Sequence, residues 1–226
     1  MTLIVERKVL AVVTLDQWTT EPISFESARV FVRMWHKMPN VQGLHVTQCY
    51  GLFRPPSFCE FGFPPLMCGV AMYGKPAMSS QGKKWCPQSP SQLLELRRLC
   101  FWDDCEDFAK TFFVNNTLSL LRSNTDTRVV VAYADVKDGD VYRAANWKSV
   151  GTTAPGHILI VDGERYHDRT LRMDKPYARK IKQRLKEGDI NVKLVDTPLK
   201  QIFLYRLRKV DTWDENTVTQ RSGYVK

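Results

Sequence analysis

No apolar run in the chain approaches the ~20 residues that a membrane-spanning helix requires. The longer ones, such as Val9–Leu15, are short, and that one is interrupted by Thr14. A secretory leader is not expected either, because Glu6-Arg7-Lys8 stand where its apolar core would continue. Six cysteines, at 49, 59, 68, 86, 100 and 105, include no C-x-x-C pair and keep no regular interval. That excludes a zinc knuckle or a dithiol redox motif from spacing alone, and the expectation is buried, reduced thiols in a cytoplasmic protein. Internal repeats, low-complexity tracts and linkers are also missing. Carboxylates are in deficit, with 24 Asp+Glu against 33 Lys+Arg and a net charge of +9.

What is present is an ordinary globular composition, 43% hydrophobic and 25% charged over 226 residues. A chain this long buries enough surface to fold without a staple. The charge is uneven: from Glu164 to Lys226 there are 16 basic and 9 acidic residues. A basic C-terminal third points to a polyanionic partner, and a merely solvated surface is the alternative.

The apolar spacing predicts a strand at Lys8–Leu15 and a helix from Ser24 to about His36, with Phe25, Ala28, Val32 and Trp35 on one face. Strands follow at His45–Phe53, Leu66–Tyr73 and Leu93–Phe101. The breaker-rich stretches Arg54–Pro65 and Gly74–Pro90 read as loops, and Thr19–Pro22 as a turn. A helix over Cys105–Leu121 is expected to be capped by Asp103 or Asp104, with Phe108, Phe112, Leu118 and Leu121 inward. Then come a strand, Arg128–Ala134, and a short helix, Val141–Trp147. A hairpin is expected about Asp162-Gly163. A basic helix, Lys175–Lys186, is expected to be capped by Asp174 and ended by Gly188, with a Tyr177, Ile181 and Leu185 seam; the last strand is Gln201–Arg208. The order defines a single α/β domain over residues 1–226.

Two stretches hold candidate chemistry. Val131–Asp135 is a buried strand that delivers a carboxylate at its C-terminal end, where ligands of open α/β sheets bind. Tyr142 follows seven residues later, and a phenol and a carboxylate across one turn suit an acid and a base. The structural alternative makes Asp135 a turn cap and Tyr142 a core residue.

The segment from Val129 to Gly151, VVVAYADVKDGDVYRAANWKSVG, resembles the C-terminal half of the GCN5-related acetyltransferase (GNAT) fold. More narrowly, Leu96-Arg97-Arg98-Leu99-Cys100, Tyr133-Ala134-Asp135 and Tyr142-Arg143-Ala144-Ala145-Asn146-Trp147 are similar to the Mom DNA-modification proteins of Mu-like phages. Asp162–Arg169 and Lys200–Tyr205 extend the likeness to about residues 90–208. It implies a mixed, mainly antiparallel sheet of about six to eight strands flanked by helices. The implied activity is transfer of a carbamoylmethyl group to the N6 amine of adenine in DNA, which shields phage DNA from restriction. Asp135 would be the base and Tyr142 the acid. The target base must leave the stack. Tyr73 and Trp147 would stack on it, Asn146 would read its edge, and His36 would line the pocket. Asn115 falls where these proteins tend to carry serine. The donor implied is an acyl-type or glycine-derived molecule whose identity the sequence leaves open, acetyl-CoA or another acyl-CoA included, and the resemblance leaves room for iron. A homodimer is compatible with it.

The GNAT pyrophosphate loop is missing: Phe101–Phe108 reads FWDDCEDF, acidic and without glycine. Arg179, Lys180, Lys182, Arg184 and Lys186 on the basic helix are the candidate DNA-phosphate contacts. Two other functions compete: a GNAT acyltransferase acting on a small amine or a protein, and a non-catalytic DNA-binding protein on the same scaffold.

Overall fold

The computed structural model describes residues 18–41, 43–54 and 65–208, so the strand expected at Lys8–Leu15 lies outside the described residues. The chain divides into two compact units. One takes the residues up to Ala132, Asp140–Lys148 and the chain from Phe203; the other takes Tyr133–Gly139 and Ser149–Ile202.

The first unit opens with a short strand, β1 (Thr19–Pro22), where a turn was expected. Its polar residues pair antiparallel with one end of β2 (Val46–Phe53), Thr19 opposite Phe53. Between them lies α1 (Phe25–Trp35), begun by Ser24, whose hydroxyl accepts from the Ser27 N–H at 3.0 Å. Its inward face is Ala28, Phe31 and Val32; Phe25 and Trp35, expected inside, are exposed. β3 (Met67–Gly74) pairs antiparallel with β2 and with β4 (Leu93–Phe101). It is buried on both faces. Val70 and Met72 pack with Ala28, Phe31 and Val32, while Tyr73, one residue out of phase, reaches the opposite layer.

The segment before β4, expected to be all loop, contains a short helix, α2 (Ser80–Trp85). The opposite layer is α3 (Asp107–Asn124), which buries Ala109, Phe113, Val114, Thr117, Leu118 and Leu121. Its N-cap is Glu106, without a side-chain cap bond, rather than Asp103 or Asp104. Phe108, expected inward, is exposed and Phe113 takes the core position. β5 (Val129–Asp135) runs parallel to β4 from Leu93↔Val129 to Leu96↔Ala132, where the pairing ends although both strands continue. A single 3₁₀ turn, Val136–Asp138, leads to α4 (Asp140–Ala144).

Along the rest of the chain lie β6 (Lys148–Thr152), β7 (Gly156–Val161), β8 (Glu164–His167), α5 (Pro176–Lys186), β9 (Val192–Thr197) and β10 (Lys200–Arg206). The strands form a mixed seven-stranded sheet, ordered β1-β2-β3-β4-β5-β10-β6, and an antiparallel three-stranded sheet, β8-β7-β9. The first has a strand count within the expected range; the second was not expected.

The second unit centres on the small sheet and α5. Asp162 (φ 52°) and Gly163 (φ 84°) make the expected two-residue hairpin turn, both in the left-handed region that a type I′ turn requires. Ile181 packs with Leu159, Val161 and Val192. Ala178, not Tyr177, shares that face, and Tyr177 is exposed. Gly188 (φ 73°) ends α5, with the Asp189 N–H donating to the Arg184 carbonyl and the Gly188 N–H to that of Leu185. The N-cap is Lys175, and Asp174 instead pairs with Arg179 at 2.7 Å.

Candidate functional site

α4 lies in the first unit and delivers Tyr142 into an aromatic cluster. Its ring stacks on Phe203, centroids 4.9 Å apart at 21°, and meets Trp147 edge-on at 5.3 Å and 72°. Trp147 tilts against Tyr205 at 5.7 Å. These contacts fix the ring, so that what remains chemically adjustable at Tyr142 is its hydroxyl. The Asn146 N–H donates to the Arg143 carbonyl, and the Trp147 N–H to that of Tyr142. With Asn146 at φ 59°, these bonds form a Schellman cap, which asparagine tolerates better than most residues.

Tyr73 is fully buried, and its hydroxyl lies 2.6 Å from Thr117 Oγ1. Thr117 spends its own proton on the Val114 carbonyl at 2.8 Å, so Tyr73 is the donor. Burial holds the Tyr73 phenol neutral by raising its pKa. Tyr142 and Tyr50, both within electrostatic reach, add to that rise. A line of neutral hydroxyl groups, Tyr73 and Thr117, thus stands in the electrostatic neighbourhood of Tyr142.

Several expected roles change. Tyr73 and Trp147 are buried among other side chains and present no open ring face, so neither is a base-stacking platform. Asn146 caps α4 through its backbone and keeps its side chain exposed. His36 ends α1, and its Nδ1 accepts from the Met38 N–H at 2.8 Å, which gives it a turn-forming role. Asn115 is exposed on α3, where its carbonyl accepts from Ser119 at 3.1 Å. Asp135, in the second unit, ends β5 in extended conformation, half-buried; its side chain does not cap the following turn.

The α3 N-terminus tests the fit of a coenzyme A pyrophosphate. Asp103, Asp104 and Asp107 are exposed there, and the half-buried Glu106 pairs with Arg54 at 3.3 Å. A dianionic group would meet carboxylates crowded about the helix end and no glycine turn to cradle it, so the residues present do not fit it. Among the described residues no three His, Cys, Asp or Glu side chains gather as metal ligands, and nothing here supports the iron.

On α5, Arg184 is bound at both ends. It donates two bonds to Asp162, at 2.6 and 2.8 Å, and one to Asp189 at 2.7 Å. It clamps the hairpin turn to the helix and is corrected from a DNA contact to a structural residue. Arg179 pairs only with the exposed Asp174 among the described bonds, and such a pair exchanges readily for another anion. Lys180 and Lys186 are exposed on the same helix and Lys182 is half-buried. Thr117 and the two carboxylates around Arg184 were missed by sequence reasoning. Thr117 sits within the helical stripe 113, 114, 117, 118 and 121, which is the one signal that could have marked it.

Taken together, the fold and these residues define an α/β protein with a buried phenol cluster on a mixed sheet and a separate basic helix. The Mom protein family model matches residues 17–220, and the chain belongs to the Mom family. No curated protein matches it. Among solved structures it aligns with a ribosomal-protein-S18-alanine N-acetyltransferase from Escherichia coli at 6% identity and a TM-score of 0.44, covering 87% of this chain and 99% of that one. A putative acetyltransferase from Salmonella typhimurium, solved with acetyl-CoA, aligns at 7% identity and 0.47, covering 87% and 97%. The spermidine N-acetyltransferase SpeG from Vibrio cholerae aligns at 8% and 0.46, covering 92% and 99%.

No helix among the described residues is long and apolar enough to cross a membrane.

Proposed function

We propose that the protein is a DNA base-modifying transferase that adds a carbamoylmethyl or related acyl-type group to the N6 amine of adenine. The observation that carries this reading is membership of the Mom family over nearly the whole chain. The residues suit the chemistry. The adenine amine is a weak nucleophile, because its lone pair is delocalised into the ring, and it must lose a proton as its new N–C bond forms. The family likeness assigns the acceptance of that proton to Asp135 and the leaving-group proton to Tyr142, whose phenol protonates the departing atom as its bond to the transferred carbon breaks. The Tyr142 ring is held by Phe203 and Trp147, which supports a fixed donor. The donor is a small molecule without a pyrophosphate lodged at the α3 N-terminus, because that end is acidic.

DNA is the proposed polyanion for α5, through Arg179, Lys180, Lys182 and Lys186. The test is nucleoside mass spectrometry of DNA from cells making the protein. A mass-shifted deoxyadenosine that is missing when Tyr142→Phe is made instead supports the reading. Unmodified deoxyadenosine beside an acylated small amine or protein would replace it with the second transferase function.

A further inference from the structure

Charge is nearly balanced before Glu164, yet the two ends of β4 differ. Beyond its C-terminal end, Asp103, Asp104, Glu106 and Asp107 crowd the start of α3. Ahead of its N-terminal end, residues 74–90 hold three lysines and no carboxylate. Lys75 follows β3, whose last residue, Gly74, is paired with Glu95. Lys83 and Lys84 lie on α2, which packs on the 3₁₀ turn Pro90–Gln92. The Arg128 N–H donates to the Gln92 carbonyl at 3.0 Å, and the Leu207 N–H to that of Arg128 at 2.8 Å. Arg208 then caps the C-terminus of α3, its Nη2 donating to the Arg122 and Thr125 carbonyls at 3.1 and 2.7 Å. These bonds gather Lys75, Lys83, Lys84 and Arg122 at one end of the first unit. All four are exposed, and among the described residues none has an ion pair. Lys84 has the Trp85 ring under its ammonium, 4.3 Å from the centroid. Glu95 is engaged by Arg97 at 2.9 Å, and Asp126 is the opposing charge between Arg122 and Arg128 in sequence.

We propose that this basic end is an interaction surface for duplex DNA, a second set of phosphate contacts in addition to those of α5. That the polyanion is DNA rests on the proposed function. Charges of both signs interspersed make a solvated surface. Cations segregated at one end, with carboxylates at the other, set up a field that draws in a polyanion. Arg179 on α5 must release Asp174 before it meets a phosphate. Lys75, Lys83, Lys84 and Arg122 have no ion pair to break, so a phosphate contact there displaces only counterions. Lysine suits a backbone better than a base edge, because its ammonium is a compact point charge on a flexible stem. The surface therefore holds DNA without reading its sequence. It lies near the point where β4 and β5 part: from Leu93↔Val129 to Leu96↔Ala132 is about 10 Å along the strands.

The experiment measures binding of the full-length protein to a fluorescein-labelled DNA duplex by anisotropy over a salt series. Lys75, Lys83, Lys84 and Arg122 are replaced together by alanine, and in a second variant by glutamine, which keeps a long polar side chain. Both variants are expected to fold as the wild type does by circular dichroism, because the four side chains are exposed. The slope of log affinity against log salt is expected to flatten by about 0.9 per lost contact, up to about 3.6 units, on any duplex sequence. Absence of duplex binding by the wild type, or a wild-type slope in both variants, would overturn the proposal. So would unchanged duplex binding with a loss confined to single-stranded RNA. Mass spectrometry of nucleosides separates this surface from the transferase reading. Modified deoxyadenosine with an unchanged slope removes the surface alone, and a flattened slope without modified deoxyadenosine removes the transferase reading alone.

Discussion

Tyr142 and Tyr73 are both buried tyrosines of the first unit, but their surroundings assign them different work. Tyr142 has a ring fixed by stacking and belongs to the segment that the family likeness marks as catalytic. Tyr73 gives its proton to Thr117 and is held neutral by burial. Removing only the Tyr142 hydroxyl by Tyr142→Phe leaves the ring contacts in place. The expected result is a melting temperature close to wild type and a loss of about 10²–10⁴-fold in transfer rate at limiting enzyme, the usual scale for a positioned acid. Wild-type turnover in that variant would make Tyr142 a core residue. Thr117→Val is expected to behave the other way. It keeps the shape but strands the Tyr73 hydroxyl without its acceptor, at a cost of about 1–3 kcal/mol in chemical denaturation.

Among the elements, α5 and its hairpin carry the clearest electrostatic expectation. Arg184 holds the Asp162 carboxylate below its ordinary pKa by hydrogen bonding, and Asp189 is lowered by the Asn191 N–H and then by Arg184. Groups depressed in the folded state add stability above their unfolded pKa and lose it as pH falls through the folded value. Amide exchange in β7 and β8 is therefore expected to speed up as pH drops below the ordinary carboxylate range, after correction for intrinsic rates. Asp162 is exposed and Asp189 only half-buried, so the effect is small and salt-sensitive, and Arg184→Ala is expected to abolish most of it.

How much of each element was legible follows from the same physics. α1, β5 and the 162–163 turn were readable because a cap hydroxyl, an apolar run and an Asp-Gly pair are local signals. β1, β6 and β9 were not, since they are short or largely exposed, and their pairing partners, not their own apolar content, make them strands. α2 was hidden by Ser and Gly. For the candidate site, Tyr142 and Asp135 were visible from spacing and likeness. The burial of Tyr73 and Trp147 was not, because each depends on side chains far away in sequence, Thr117 and Tyr205 among them.

At the scale of the whole molecule, the account joins a family assignment over residues 17–220 to the basic helix α5 of the second unit. If α5 binds phosphate, log affinity falls with log salt by about 0.9 per contact. Replacing Arg179, Lys182 and Lys186 together by alanine is expected to flatten that slope by up to about 3 units and to weaken every DNA sequence alike. Folding should be little changed, because Ala178 and Ile181 hold the helix. An unchanged slope would leave the charge merely solvated.

The most direct measurement is mass spectrometry of enzymatically released nucleosides from cells making the wild-type protein, beside cells making Tyr142→Phe or Asp135→Asn. The account predicts a mass-shifted deoxyadenosine in the first and its near-complete loss in the other two, with all three proteins folded and equally abundant. Deoxyadenosine unmodified in all three, with an acylated small amine or protein appearing in the wild-type cells alone, would contradict it.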